Sequence, residues 1–136
     1  MKITSPRDYA GIAGKPGSQF TGDVYPYLTM PATDGVTINT VNFTPCARTF
    51  WHRHDQGQIL IVLAGRGLIQ ADGGPVRVLR AGDVVWAPAG ERHWHGGSGD
   101  SYMTHIAISL GPTHWEDAVT DEEYQIEPTN EESHAD

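Results

Sequence analysis

His52-Arg53-His54-Asp55-Gln56-Gly57-Gln58-Ile59-Leu60-Ile61-Val62-Leu63-Ala64-Gly65 is the stretch that decides this fold. Side chains alternate faces along a strand, so His52 and His54 point the same way. Gln58 opens the apolar run that follows them. A second stretch, Gly82-Asp83-Val84-Val85-Trp86-Ala87-Pro88-Ala89-Gly90-Glu91-Arg92-His93, ends a turn with a third histidine. Read together, they describe one divalent metal site built from two hairpins, with His52, His54, Gln58 and His93 as ligands. Imidazoles with an amide oxygen suit Mn(II), Fe(II), Ni(II), Zn(II) or Cu(II), and the residues alone do not choose among these ions. Glutamine brings no charge, so the shell leaves the ion fully dicationic. That favours Lewis-acid chemistry over oxygen activation.

Outward from this core the chain is punctuated by 16 Gly and 9 Pro. Between these turn signals lie short runs that read as strands: 20–24, 36–43, 49–54, 58–64, 68–71, 75–79, 83–87, 92–95 and 101–109. Gly65-Arg66-Gly67 and Asp72-Gly73-Gly74 read as hairpin turns. The spacing predicts an all-β sandwich or barrel. Ile59 to Leu63 is apolar on both faces and predicts a buried central strand. Thr120 can cap a short helix over the acids that follow it.

With 136 residues the chain is long enough for one domain. Its net charge of -8 is concentrated at one end. Residues 116–136 hold nine acids and no Lys or Arg, whereas the rest is close to neutral. We divide the chain into an irregular N-terminal arm (1–18), a β-domain (19–115) and a solvated acidic tail (116–136). The absence of a basic stripe argues against nucleic-acid partners. The lack of a long apolar run argues against membrane partners. A single cysteine, and a start without a signal-peptide apolar stretch, lead us to expect a cytoplasmic protein. Cys46 itself is expected to be a buried, inert thiol.

Three further residues could take part in chemistry. His105 lies on the run 101–109, where Met103, His105, Ala107 and Ser109 share a face. Ala107 and Ser109 are small, as a pocket wall would be, and Asn39 and Val41 would line the same pocket from the preceding strand. A neutral imidazole beside a dication could serve as acid or base near neutrality. His95 shares a face with His93 and could enter the pocket. Arg48 shares a face with His52 and His54 and could bind an anionic group.

The two histidine stretches resemble the motifs of the cupin superfamily. The first motif matches at His52, His54, Gln58 and Gly65, with Cys46 where a glycine is usual and Gln58 where most metal cupins carry Glu. The second matches at Gly82, Pro88, Gly90 and His93, with Gly97 where Asn is usual. A narrower resemblance rests on Ala47-Arg48-Thr49, Trp51-His52, Gly57-Gln58-Ile59-Leu60, Gly82-Asp83-Val84-Val85, His93-Trp94-His95-Gly96 and Thr104-His105-Ile106-Ala107-Ile108. These strings are similar to small cupins of the carboxymuconolactone-decarboxylase-like group, which includes manganese-dependent bacterial hydroxynitrile lyases. The resemblance implies a jelly roll, a shell of three His and one Gln, Mn(II) as the ion, and a pocket histidine at the position of His105. It implies a lyase acting on a small-molecule substrate. A dioxygenase, a decarboxylase or isomerase, or a non-catalytic binding cupin would use the same shell. Small cupins commonly pair, so a homodimer or higher homo-oligomer is expected.

Overall fold

The computed structural model describes residues 1–6 and 19–125. Most of the expected arm and residues 126–136 of the expected tail lie outside the described residues. Among the described residues, eleven strands run in the order β1 (Phe20–Thr21), β2 (Val24–Thr33), β3 (Val36–Phe43), β4 (Arg48–Thr49), β5 (His52–His54), β6 (Gln58–Ala71), β7 (Arg77–Arg80), β8 (Val84–Ala87), β9 (His93–Gly97), β10 (Met103–Leu110) and β11 (Thr113–Trp115). One short helix, α1 (Asp121–Tyr124), follows. Neighbouring strands pair in the order β1-β4-β9-β6-β10-β3-β2, all antiparallel. The architecture is the expected all-β jelly roll.

The two layers are joined by β6, and this corrects one expectation. Gly65-Arg66-Gly67 is not a hairpin turn but the middle of a 14-residue strand. The first half of β6 pairs with β8 and β10, and the second half with β7 and β9. Gly65 makes the bend between them, with φ +80°. A Cβ there would run into the backbone carbonyl of Tyr102. Gly65→Ala should therefore destabilise the fold by roughly 2–5 kcal/mol, from left-handed strain plus overpacking. Urea unfolding measures this, and a loss below about 0.5 kcal/mol would remove the bend argument, since that is the scatter of neutral surface changes.

Three other differences have local causes. The strand expected at 20–24 is instead β1 and the start of β2, which runs on to Thr33. β2 ends the pairing order, where Pro26 and Pro31 cost fewer ladder bonds. The run expected at 49–54 is split into β4 and β5, because Phe50 and Trp51 turn to pair their N–H groups with Gln19 and Asp117. Cys46 is exposed rather than buried, and with φ +70° it takes the left-handed conformation that glycine favours.

The hydrophobic residues divide into two groups. Val24, Val41, Phe43, Ala47, Val62, Leu79 and Met103 fill the space between the layers. Trp51, Leu68, Val76, Val78, Trp94, Val119 and Tyr124 form a second group. Trp94 alternates with His93 and His95, so this group lies on the opposite face of β9 from the histidines. The central strand β6 buries Leu60 and Val62, but Ile59 and Ile61 are half-buried and Leu63 is exposed. Ile59 and Ile61 belong to two largely apolar rows that cross five strands, Val84-Ile61-Ile106-Thr40-Tyr27 and Trp86-Ile59-Ile108-Ile38-Met30. Among the described residues, no helix is long and apolar enough to cross a membrane.

Candidate metal centre and active site

The site begins with a register. His52 on β5 pairs directly with His93 on β9, which brings the two stretches quoted above into contact. Their rings lie 4.4 Å apart, and the His54 ring lies 5.0 Å from His52 and 5.6 Å from His93. All three histidines are buried, as is Gln58.

Each of the three rings is held from behind at Nδ1. His52 donates to the Phe50 carbonyl at 2.9 Å, and His93 donates to the Glu91 carbonyl at 3.0 Å. His54 Nδ1 pairs with the Thr113 hydroxyl at 2.9 Å. A carbonyl only accepts, so His52 and His93 carry their proton on Nδ1 and leave Nε2 as a lone pair. Burial pushes all three below the usual histidine range, His54 to about 4. The like charge that His93 would carry pushes His52 and His54 down further. Neutral imidazole is the form that binds metal.

The Gln58 amide tests whether an ion fits. Its Nε2 donates to the Ser109 hydroxyl at 3.2 Å, which turns Oε1 toward His93 Nε2 at 3.0 Å. In this orientation two acceptors face each other and need a cation. Such a close approach of two acceptors is what two ligands of one cation would show. The buried Nε2 of His54 has no hydrogen-bond partner, again as a ligand atom would. The four residues fit a divalent ion.

The structure also brings His95 closer than the sequence suggested. The ligand atoms of His52, His93 and His95 all lie within 4.8 Å of one another. His95 Nδ1 is 3.0 Å from His105 Nε2, and His95 Nε2 is buried and unpartnered. His95 thus links His52 and His93 to His105, with Phe43 packed against the His95 and His105 rings. Burial is the main cause that lowers both, His105 to about 4.

Along β10, Met103, His105, Ala107 and Ser109 are buried and their neighbours are not. On β3, Val41 lies opposite His105 and Asn39 opposite Ala107. Val41 is buried and Asn39 half-buried. A cavity of ≈ 380 Å³ opens beside Ser109, lined by Ala32, Gly35, Thr37, Gly111, Pro112 and Thr113, none of them charged. Ser109 and Thr113 are the hydroxyls that hold Gln58 and His54.

Arg48 is buried, but its guanidinium is engaged elsewhere. It donates to the Val119 carbonyl at 2.9 Å, to Asp121 at 2.8 Å and to the Cys46 carbonyl at 3.2 Å, and it lies over the Tyr124 ring. It holds the C-terminal segment. The sequence reading did not place Thr113 or Trp115 at the site, yet the Trp115 ring packs 4.6 Å from His52. Their alternation in Thr113-His114-Trp115 was the available signal.

The five buried imidazoles predict acid sensitivity. Their folded pKa values lie below the unfolded value, so the unfolded chain binds protons first. For His54 and His105 the contribution is fully present above about pH 6.5 and is lost as pH falls toward 4, and His52, His93 and His95 act in the same direction. For His54 and His105 this is at most roughly 3 kcal/mol each. Urea unfolding of chelated protein between pH 7 and 4.5 should show a steep loss. A flat profile would mean that these rings are charged or exposed.

Comparison with known proteins agrees with this geometry. A cupin domain is recognised over residues 39–109. The chain is 44% identical over 116 residues to a protein of Granulicella tundricola named (R)-mandelonitrile lyase, covering 81% of this chain and 88% of that one. A cupin-like protein of Thermotoga maritima superposes with a TM-score of 0.79 at 42% identity, over 83% of this chain and 92% of the other. A polyketide cyclase of Streptomyces resistomycificus superposes at 0.65 with 18% identity, over 92% and 91% of the two chains, a likeness of fold. By motif, register and these relatives, the chain belongs to the cupin superfamily.

Proposed function

We propose that this cupin is a metal-dependent lyase that cleaves a small, neutral hydroxynitrile into a carbonyl compound and hydrogen cyanide. The observation that carries this reading is the buried, hydrogen-bonded His95–His105 pair, whose His95 lies within ligand distance of His52 and His93. The likeness to (R)-mandelonitrile lyase over most of both chains supports it.

His52, His54, Gln58 and His93 would hold one divalent ion, Mn(II) by resemblance, which supplies Lewis-acid stabilisation of developing negative charge. The chain's own residues supply the proton chemistry. The His95–His105 pair removes the hydroxyl proton of the substrate. The carbon–carbon bond to the nitrile breaks, its electron pair leaving with cyanide as the carbonyl forms. The protonated pair then returns the proton to cyanide. A neutral imidazole can accept a proton, and its low pKa makes the protonated form a ready donor. Asn39, Val41, Ala107 and Ser109 form the wall against which the substrate lies.

Metal-loaded protein incubated with mandelonitrile should release benzaldehyde equally in air and under nitrogen. Release that requires dioxygen would instead favour an oxygenase, and no release from a panel of hydroxynitriles would sink the lyase reading.

The homo-oligomer is a proposal of the same kind. A second copy would cover the two largely apolar rows across β8, β6, β10, β3 and β2, which contain no charged residue to leave unpaired. Light scattering should show a dimer or larger assembly, and a monomer at micromolar concentration would refute it.

A further inference from the structure

The three-residue strand β5, which carries His52 and His54, has little support of its own. It meets β9 at the single pair His52–His93. Its main partner is β11, where Thr113 lies opposite His54 and Trp115 opposite His52. From there the chain continues along the outside of the histidine strands. Glu116 N–H donates to the Trp51 carbonyl and Trp51 N–H to the Asp117 carbonyl, both at 2.8 Å. Val119 and Tyr124 close on Trp51 and Trp94. Tyr124 donates its hydroxyl proton to the Gly97 carbonyl at 2.7 Å, at the end of β9.

The end of this segment is fastened to the barrel by Arg48. Its side chain is 5% exposed and reaches Val119 and Asp121, 71 and 73 residues away in sequence. The helix it grips is closed by a reciprocal cap, in which Thr120 and Glu123 each bond the other's backbone N–H.

We propose that residues 113–124 form a strap, clasped by Arg48 and Tyr124, that pre-orients His52, His54 and His93 for metal. Arg48 and Tyr124 are positioning residues for the centre, without contact with the ion or the substrate. The proposal rests on the reading of those histidines as ligands. If the strap is released, β5 loses three of its four strand pairings and His54 loses the hydroxyl that sets its ring. The ligands must then be ordered at the expense of binding free energy.

The probe is Co(II), whose visible bands report ligand geometry, added to metal-free Arg48→Met, Arg48→Lys, Tyr124→Phe and His54→Ala. Arg48→Met should weaken Co(II) binding about 10–100-fold and shift its bands, the usual cost of losing an outer-shell support. Arg48→Lys, which keeps the charge facing Asp121, should recover part of both. Tyr124→Phe should move in the same direction and carries the test if Arg48→Met does not fold. If both variants lose thermal stability yet bind Co(II) with wild-type affinity and bands while His54→Ala is impaired, the strap is structural only and the proposal fails. Wild-type Co(II) binding by His54→Ala would overturn the ligand assignment, and the proposal with it.

Discussion

His105→Ala is expected to keep its metal and its fold and to lose about 10²–10⁴-fold in turnover, the usual contribution of a general acid–base group. The ring lies outside the four proposed ligands, and its Nε2 meets His95. Removing it leaves His95 without its hydrogen-bonded imidazole neighbour, the second site for the proton. The cavity created lies against the Phe43 ring, so some stability is also lost. Metal content and turnover, measured on the same preparation, separate the two effects. Full activity would move the proton-transfer role to His95 alone, and loss of metal would mean that the shell includes the His95–His105 pair.

His54→Ala is expected to lose the metal itself. The Nε2 of His54 is buried without a partner, while Gln58 Oε1 faces the lone pair of His93 Nε2. One missing ligand leaves these acceptors opposed with no cation to reconcile them. The wild-type protein should gain roughly 2–4 kcal/mol from metal at about 100 to 1,000 times its dissociation constant. The variant should show no such gain, and its unfolding midpoint should not respond to a chelator. Equal metal content in variant and wild type would refute the assignment. His95 would then complete the trio with His52 and His93.

Much of this was legible in the chain because it is local. The alternation of Met103, His105, Ala107 and Ser109 follows from the two-residue period of a strand and is seen in their burial. The helix after Thr120 was readable from its cap and acids, and the structure shows the full reciprocal cap. Other features were hidden because the deciding partner is remote. By charge, residues 116–125 read as part of a solvated tail. Two apolar side chains, Val119 and Tyr124, suffice to dock them, because Trp51 and Trp94 from different strands supply the surface. Arg48 shared a face with the histidines by alternation, but its partners on the C-terminal segment draw it away from them.

By itself, then, the sequence determined the class of fold, the β-domain's motifs and the four residues proposed to share one ion, since short-range alternation and turn chemistry specify which way side chains point. The tertiary structure decided that β6 crosses both layers at Gly65, that His95 joins the histidine group, and that the acidic segment straps the site. Each of these depends on strand register and on contacts between residues distant in the chain. Their free energy comes from packing and pairing that no local pattern encodes.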